Sequence, residues 1–434
     1  MRVLTISYYF PPVSHIATLR AVAFADYFPR QGIELVFATR HWTEDDNSWE
    51  DYFEDNSSAA QFGTFKGCEV VRLPFEKAAG YKLSRKLGKY FHRAYLLFHA
   101  AVGTPQPELN IYRTFLPHLR DYLSENRVDL ILATFQPMGA VKLAWKLGKE
   151  FDIPFAVDFR DMWNVDAFGP TGEPGSRRRH FLSRFQEFHL RRWLKDAVLI
   201  SAVNKDIVDR VRAILSDPPE IVLATNGYEA TVFDEQRTDP PSDKFVFSVI
   251  GTLYPSQDLS IMLRGLKEFL RDKDPAEVVL RFVGLRAIKE AEEIILRELP
   301  GSFIDSTERV PYPEAVRLAT ASHVLFYAGW PGRKGITPGK IFDYFGARRN
   351  ILVAPGDEVL GELLAETGAG RLVDGPAEFC AVLEDWFQEW KVQGALSFHG
   401  NDEVLERFTR ENQTAKLARA LNEAISRGAD PEHA

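Results

Sequence analysis

Cysteine is scarce in this sequence, and long apolar runs are missing. Only two of the 434 residues are cysteines, Cys68 and Cys380, and they form neither a CxxC pair nor a metal-ligand spacing. This argues against a disulfide scaffold and against a cysteine zinc site. The best uncharged stretches, 130–141 and 318–332, are shorter than the roughly 18–20 residues that a bilayer span needs. The apolar run at the N-terminus is too short for a signal peptide. We therefore expect a soluble, cytoplasmic protein, attached at most to the inner face of a membrane.

A surplus of basic residues and the common catalytic motifs are also missing. The 53 Lys and Arg residues stand against 61 Asp and Glu, so the formal net charge is −8, which argues against nucleic acid as a partner. There is no GxGxxG, GxxxxGK(S/T), HExxH or GxSxG motif, one of which a dehydrogenase, P-loop NTPase, zincin or α/β-hydrolase would need. The ten histidines form no convincing metal pair. We expect neither a metal nor a cofactor.

What is present is an alternation of strand and helix patterns in a composition close to the soluble globular average. The first unit of this alternation is a strand at 3–9, a helix at 18–30 and a strand at 33–39. The same alternation resumes after residue 245, with strands at 245–250, 278–283 and 324–327 and a helix at 289–298. Units of this length predict parallel, doubly wound sheets. The predicted fold class is α/β, with two Rossmann-like domains facing across a cleft that holds the ligand.

The domain limits follow from a polar, proline-containing segment at 234–244, which is typical of a linker. The first predicted domain is 1–235, with an inserted helical region at 43–126 that has few strand signals. The second predicted domain is 245–410. The remaining segment, 411–434, contains a helical pattern.

A basic amphipathic stretch at 77–99 allows two interpretations. No acidic residue occurs between Glu76 and Glu108. The apolar side chains of one helical face are Leu83, Leu87, Tyr90, Phe91, Ala94 and Phe98. The stretch is either a helix on an anionic membrane or, as we favour, a surface helix with its apolar face in the core. A second basic run at 177–195 either reinforces a membrane patch or is a solvated helix.

Polar side chains at two strand ends of the first domain are candidates for a ligand site at the cleft. Ser14 and His15 follow the YYFPP turn, which alternatively is only a rigid turn. In the DFRDMW segment, Asp161 is a candidate catalytic carboxylate, and Arg160 would orient an Asp that acts as a base or acceptor clamp. The alternative for this segment is an internal Asp–Arg pair; we favour function, because carboxylates after a buried strand are costly to place.

Two loops of the second domain are candidates for the donor side. Gly251 and Thr252 follow the first strand, where a glycine lets backbone N–H groups approach a phosphate. The glycine- and proline-rich segment 329–344 leads into a helix N-terminus, which attracts anions. Its predicted diphosphate ligands are Arg333, Lys334, Gly339 and Lys340, and Asp343 would accept hydrogen bonds from vicinal hydroxyls, as on a ribose. A flexible surface loop is the alternative.

Together these segments resemble the group 1, glycogen synthase-like glycosyltransferases of GT-B fold. The matching pieces, spread over nearly the whole length, are YYFPP, IPFAVDFRDMW, ISAVNKDIVDRV, TNGYEATVF, VIGTLYPSQD, PGKIFDYFGARRNILV and ELLAETGAG. The resemblance implies transfer of a sugar from a nucleotide-diphosphate sugar with retention of configuration, usually without metal. It implies that the second domain holds the nucleotide, with Lys340 facing the diphosphate and Asp343 the ribose. It further implies that the first domain holds the acceptor, with Ser14, His15 and Arg160 as the acceptor-side residues. It also implies that the final helix, 412–427, crosses back to the first domain.

The sequence departs from this family at several donor positions. Val13, Ser14 and His15 replace the usual Gly-Gly, and Gly335 replaces a frequent Glu. Pro255, Ser256 and Gln257 replace the frequent Arg and Lys, so Arg333 and Lys334 would supply the missing cations. A His often found after the fourth strand is absent from 134–138.

These patterns predict a hexosyltransferase-like enzyme that uses a glycan or lipid-linked acceptor. Its place would be the biosynthesis of surface polysaccharide, lipopolysaccharide or another glycoconjugate, and an anionic membrane surface is a further expected partner. Two alternatives stay open. One is a non-catalytic sugar-binding, nucleotide-binding or assembly subunit. The other is a sugar-nucleotide 2-epimerase, which normally carries paired carboxylates and histidines not found here.

Overall fold

The computed structural model describes residues 1–13, 15–46, 51, 54–55, 59–104, 109, 111–161, 177–330 and 338–428, with the backbone alone for 177–183. The chain divides into two compact units. The first comprises Met1–Thr225 and Thr414–Ala434, and the second comprises Asn226–Gln413.

The first unit is built on an eight-stranded sheet. Its strands are β1 (Arg2–Ile6), β2 (Glu34–Arg40), β3 (Gln61–Phe65), β4 (Cys68–Leu73), β5 (Leu130–Phe135), β6 (Phe155–Phe159), β7 (Leu199–Ala202) and β8 (Glu220–Leu223). The spatial order is β3-β4-β2-β1-β5-β6-β7-β8, and every pairing is parallel except that of β3 with β4. Every residue of β5 and β6 is buried, as expected for parallel strands covered on both faces.

The helices of the described part of Met1–Thr225 follow. They are α1 (Thr18–Tyr27), α2 (Ala79–Lys86), α3 (Lys89–Ala101), α4 (Ile111–Glu125), α5 (Met138–Phe151), α6 (Arg177–Leu194) and α7 (Lys205–Ile214). A 3-10 turn after α1 ends at Gly32, which adopts a left-handed conformation with φ of 73°, the conformation that glycine tolerates best.

The second unit is built on a six-stranded, all-parallel sheet. Its strands are β9 (Phe245–Ile250), β10 (Val278–Val283), β11 (Ile304–Ser306), β12 (Val324–Tyr327), β13 (Asn350–Val353) and β14 (Gly370–Leu372), in the order β11-β10-β9-β12-β13-β14. Its helices are α8 (Ala230–Gln236), α9 (Ser260–Phe269), α10 (Lys289–Glu298), α11 (Tyr312–Thr320), α12 (Gly339–Ala347), α13 (Glu358–Thr367), α14 (Pro376–Gln393) and α15 (Asp402–Glu406), followed by α16 (Arg410–Gly428).

Alternate side chains of the second sheet enter two separate apolar clusters. On β12, Val324 and Phe326 belong to one cluster, while Leu325 and Tyr327 belong to the other. This follows from the two-residue period of a strand. The predicted fold class is therefore confirmed: both units are α/β, each with a doubly wound sheet.

The change of unit falls after Thr225, ahead of the segment 234–244 that its composition marks as a linker. The physical reason is the burial of Phe233 on α8 in an apolar cluster of the second unit. The last helix, α16, begins in the second unit. From Thr414 onward it belongs to the first unit, where Leu417 and Leu421 are part of the core.

Besides β4, which the sequence predicts, the region 43–126 contains a second strand, β3, which it does not predict. β3 pairs with β4 through a two-residue turn at Lys66 and Gly67, both with positive φ, 50° and 81°. Such a turn matches the twist of a hairpin. The first strand is shorter than predicted, because the Tyr8 carbonyl accepts side-chain hydrogen bonds from Thr39 and Trp42, at 3.1 and 2.7 Å.

The structure also contradicts the favoured interpretation of 77–99. The stretch forms two helices, α2 and α3, separated at Gly88, whose φ is 97°. Its apolar face is exposed, and the opposite side of the pair packs inward. There, Tyr81 lies against Tyr95 with ring centroids 6.4 Å apart, and the Ser84 hydroxyl lies 2.9 Å from His92 Nδ1.

We expect His323 to make the second unit sensitive to acid. His323 is buried, its Nδ1 accepts a hydrogen bond of 3.0 Å from the Val246 amide, and burial, with a smaller effect of Arg349, lowers its pKa to about 4. The unfolded chain therefore binds the proton more readily, and stability falls as the pH falls from about 6.5 toward 4. By this linkage the loss is about 2–3 kcal/mol at pH 4.5.

Replacing His323 with asparagine keeps an acceptor and removes the titration. Urea unfolding at pH 7 and pH 4.5 measures the free energy of unfolding. On acidification this free energy should fall by about 2–3 kcal/mol less in His323→Asn than in the wild type. His399→Asn, at an exposed position, is the matched control. Identical pH profiles for His323→Asn and wild type would show that His323 does not carry this dependence.

Candidate nucleotide and acceptor sites

A glycine turn at the end of β9 and the start of α12 form one polar cluster in the second unit. Gly251 has φ of 90°, and its amide donates to the Val283 carbonyl at 2.9 Å. The Lys340 ammonium group donates to the Thr252 carbonyl at 3.0 Å. A Cβ at Gly251 would lie only 2.9 Å from Lys340 Cε. The positive φ therefore favours glycine at this position, and a Cβ there would displace the end of the Lys340 side chain.

Tyr344 fixes α12 against the strands. Its hydroxyl accepts a hydrogen bond from the Ile250 amide and donates one to the Phe326 carbonyl, both at 3.1 Å. Because Ile250 ends β9 and Phe326 lies on the adjacent β12, this one buried side chain sets the distance between α12 and the carboxyl edge of the sheet. The sequence motif contained Tyr344, but its hydrogen-bond partners depend on the fold.

Lys340 is a half-buried cation at the first turn of α12. The helix begins at Gly339 after Pro338, and no side chain among the described residues caps it. Burial lowers the pKa of Lys340 to about 8. A helix N-terminus with free N–H groups beside a desolvated lysine is an environment in which an anion is stabilised and in turn stabilises the charged lysine.

Asp343 lies one turn further along α12, at the spacing that puts two side chains on the same helical face. It accepts a hydrogen bond of 2.8 Å from the Tyr312 hydroxyl. Burial raises the pKa of Asp343, against smaller opposing effects of the Arg410 charge and the Tyr312 hydroxyl. The structure thus brings together Gly251, Thr252, Lys340 and, on the same helix, Gly339 and Asp343.

A cation that the sequence did not single out also reaches this cluster. Arg309, in the loop after β11, donates from Nε to the Thr252 hydroxyl at 3.3 Å. Its loop is tied to the sheet edge, since the Thr307 hydroxyl accepts a hydrogen bond from the Gly284 amide at 3.3 Å. Thr252 and Arg309 are 57 residues apart in sequence, so no local motif joins them. The predicted cations Arg333 and Lys334 lie outside the described residues.

Two aromatic rings stand in the loops that follow β9 and β12. Tyr254 and Trp330 have ring centroids 5.6 Å apart, with an interplanar angle of 34°. Gln257 holds the first loop, because it accepts from the Tyr254 amide at 2.9 Å and donates to the Ala328 carbonyl at 2.6 Å. Gln257 therefore ties together two loops at the carboxyl ends of neighbouring strands.

In the first unit, Asp158 forms an internal ion pair, but not with the arginine that the sequence suggested. Arg20 binds both carboxylate oxygens of Asp158, each at 2.6 Å, and Ser201 donates to one of them. Arg20 also donates to the Ala224 and Thr225 carbonyls at 3.0 and 3.2 Å. Asp158 is fully buried, so this pair is structural, as the alternative interpretation of the segment held.

Arg160 does not orient Asp158. Its guanidinium group instead donates to the carbonyls of Phe135 and Ala17, both at 3.0 Å, and to that of Gln136 at 3.3 Å. The chain places Arg20 on this carboxylate and backbone carbonyls around Arg160, so an orienting role of Arg160 toward the other carboxylate of the segment, Asp161, stays a prediction. Asp161, the next residue, is exposed.

His15 lies beside this arginine. Its ring stacks on Tyr9 with centroids 4.1 Å apart, and its Nδ1 accepts a hydrogen bond from the Ala17 amide at 3.0 Å. Burial, together with the Arg160 charge, lowers the pKa of His15 to about 4, so the imidazole is neutral near pH 7. Two of the predicted acceptor-side residues, His15 and Arg160, are therefore neighbours. The third, Ser14, lies outside the described residues.

Comparison with known proteins identifies the class to which this fold belongs. The solved structures that resemble it include trehalose 6-phosphate synthase from Burkholderia multivorans, with a TM-score of 0.61, 12% identity and coverage of 100% of this chain and 98% of that one. They also include HepE from Anabaena in complex with UDP and glucose, with a TM-score of 0.60, 12% identity and coverage of 98% and 100%. Sucrose-phosphate synthase from Thermosynechococcus elongatus has a TM-score of 0.57, 12% identity and coverage of 99% and 97%. The fold is that of the GT-B glycosyltransferases.

The first unit has a more specific match. Residues 17–227 match the family model of the glycosyl transferase 4-like domain. No curated protein matches the full sequence. The resemblance to GT-B glycosyltransferases predicted from the sequence is thereby confirmed. Among the described residues, no helix has both the length and the apolar character for a membrane span.

Proposed function

We propose that this protein is a glycosyltransferase that moves a sugar from a nucleotide-diphosphate sugar to a glycan or lipid-linked acceptor. The observation that carries the proposal is the half-buried Lys340 at the start of α12, held against the Gly251–Thr252 turn. The likeness to HepE supports it, because that protein is solved with UDP and glucose and with UDP-glucose.

In the proposed mechanism, the second unit stabilises the leaving diphosphate. Lys340 supplies a positive charge, the first turn of α12 supplies N–H groups, and Gly251 lets the backbone approach the phosphates. Arg333 and Lys334 add charge from the segment before α12, and Asp343 receives the ribose hydroxyls. This charge set replaces a metal in the proposal, so chelation should leave activity unchanged.

The acceptor side of the proposal lies in the first unit. Asp161 follows β6 and is exposed, so it is available as the acceptor-side carboxylate, and His15, Ser14 and Arg160 are the other acceptor-side residues of the proposal. Transfer with retention of configuration, through positioning and leaving-group stabilisation, is the reaction we propose. The expected setting is the synthesis of surface polysaccharide, lipopolysaccharide or a related glycoconjugate at the cytoplasmic face of the membrane.

A nucleotide panel tests the proposal. UDP, GDP, dTDP and ADP are compared by thermal shift and calorimetry on the intact chain, and we expect one diphosphate to bind more tightly than its nucleoside. Binding of none of the four would contradict the donor site and favour a non-catalytic subunit.

The product of a sugar nucleotide separates the enzyme classes. In proton NMR with the corresponding nucleotide sugar, a glycosyltransferase should release nucleotide and transfer or hydrolyse the sugar. Interconversion of the intact sugar nucleotide at C2 would instead identify an epimerase.

Arg309 is expected to contribute to diphosphate binding. Arg309→Gln should weaken a nucleoside diphosphate about 5–10-fold, the usual effect of removing one partly exposed charged hydrogen bond, and should leave nucleoside binding unchanged. Arg271→Gln, at an exposed arginine of the same unit, is the control, and calorimetry gives both constants. Equal loss for nucleoside and diphosphate would assign Arg309 to the structure of its loop.

A further inference from the structure

The helix pair α2–α3 presents an apolar surface that is not covered by the rest of the described chain. We call it the α2–α3 face. Its side chains and their exposed fractions are Leu83 56%, Leu87 54%, Tyr90 72%, Phe91 63%, Phe98 62% and Val102 47%. With side chains of this size, the exposed apolar area is on the order of 500 Å², at the upper end of what single chains normally expose.

On helices α2 and α3, the charged side chains around the α2–α3 face are all positive. Six lysines and arginines and no acidic residue occur in 77–107. Arg85, Lys86, Lys89 and Arg93 are exposed. The acidic groups that reach this segment, Asp55 and Glu54, pair with Lys82 and Lys77 at its beginning. The local charge is thus opposite in sign to the formal net charge of the whole chain, which is −8.

The neighbouring helix α6 continues the same character. His189 of α6 hydrogen-bonds the Ala101 carbonyl at the end of α3, at 2.9 Å. The residue before it, Phe188, is 62% exposed, and Arg184, Arg191 and Arg192 are exposed on the same helix. The packing of α6 against α3 therefore adds a further aromatic ring and three cations.

We infer that the α2–α3 face docks on an anionic lipid membrane. Exposed leucine and aromatic side chains flanked by Lys and Arg suit the boundary between acyl chains and headgroups, where apolar burial and attraction to anionic lipids act together. A second copy of this chain is a poorer match, because pairing two such faces would bring like charges together. The inference does not depend on the nucleotide site and would hold for either class of acceptor.

Vesicle co-sedimentation of the intact chain tests this surface. With vesicles of 70% phosphatidylcholine and 30% phosphatidylglycerol at about 50 mM salt, the wild type should bind. It should bind at least about tenfold more weakly to pure phosphatidylcholine or at about 300 mM salt, because the Debye length shortens. Absence of binding to the anionic vesicles at low salt overturns the inference.

Two triple variants separate apolar insertion from charge. Leu87→Ser, Phe91→Ser and Phe98→Ser together, and Lys86→Gln, Lys89→Gln and Arg93→Gln together, should each reduce the partition coefficient at least about tenfold. The control is Leu296→Ser with Val392→Ser, exposed apolar residues of the second unit, which should bind as the wild type does. Thermal midpoints should stay unchanged, since all these side chains are exposed.

Three results would contradict the inference. The first is unaltered binding by both triple variants. The second is a wild-type dimer in sedimentation velocity that the apolar triple variant converts to monomer, which would assign the face to a second copy. The third comes from the conservative Phe91→Trp protein, a test that does not require the triple variants to fold. Brominated lipid in anionic vesicles should quench the fluorescence of the added tryptophan. If quenching does not increase over the wild type, insertion of this face is excluded.

Discussion

Replacing Lys340 with alanine should weaken the binding of UDP, or of whichever diphosphate the panel prefers, by about 100-fold. The reason is the position of the ammonium group. It is half-buried and lies beside the Gly251 turn and the first turn of α12. Among the described residues, its hydrogen-bond partner is the Thr252 carbonyl. A diphosphate there would gain a charge-assisted hydrogen bond from a lysine that is partly shielded from water.

Calorimetry on the folded variant measures the effect. Lys267→Ala is the matched control, because Lys267 is an exposed lysine of the same unit that pairs with Glu298. The control should bind as the wild type does, and nucleoside without phosphate should bind Lys340→Ala normally. Unchanged diphosphate affinity in Lys340→Ala would remove the donor site from this part of the molecule.

Replacing Arg20 with methionine should destabilise the first unit by about 3–5 kcal/mol, because it leaves the Asp158 carboxylate buried without its counter-charge. Arg20 contacts both carboxylate oxygens at 2.6 Å and also two carbonyls at the end of the first unit. Among the described residues, the Ser201 hydroxyl then remains as the hydrogen-bond donor to Asp158, with Arg160 as a charge that makes no hydrogen bond to it. Urea unfolding followed by circular dichroism gives the free energy of unfolding.

A double variant distinguishes lost charge from lost packing. Arg20→Met with Asp158→Leu removes both charges and should recover part of the stability, since a neutral buried pair avoids the desolvation cost. Arg212→Met, at an exposed arginine with a loose 4.0 Å pair, should change stability by less than about 0.5 kcal/mol. A loss under 1 kcal/mol in Arg20→Met would show that Asp158 is not held by this pair.

The sequence predicted those elements whose pattern is local. β9, β10, α10 and β12 have the bounds that their apolar runs and flanking turn residues indicated. The three strands pair in one parallel sheet, and the buried residues of α10, Ala291 and Ile295, belong to the apolar core of the same unit. The glycine at position 251 and the lysine at 340 were also predictable, because their residue types suit a phosphate-binding turn and a helix start.

The features that could not be predicted depend on contacts between residues that are far apart in sequence. Arg20 and Asp158 are 138 residues apart, so the sequence suggested the nearer Arg160. Arg309 meets Thr252 only through the pairing of β10 with β9 and β11. The helical periodicity of 77–99 identified an apolar face. Periodicity contains no information on which face packs inward, and here the aromatic and histidine contacts on the opposite side determine the orientation of the two helices.

The most direct test of the account is a calorimetric titration of UDP, or the preferred diphosphate, at pH 7.0 and 8.5 in two buffers of different ionisation enthalpy. In the free protein the pKa of Lys340 is about 8, and a bound diphosphate raises it. The lysine's contribution to affinity is therefore complete below about pH 8 and decreases above it, and binding at pH 8.5 should take up most of a proton. Lys340→Arg stays charged over this range. Its change in affinity with pH and its proton uptake should therefore be only those due to the titration of the ligand itself. Equal affinity at both pH values and no proton uptake in the wild type would contradict the claim that Lys340 holds the diphosphate.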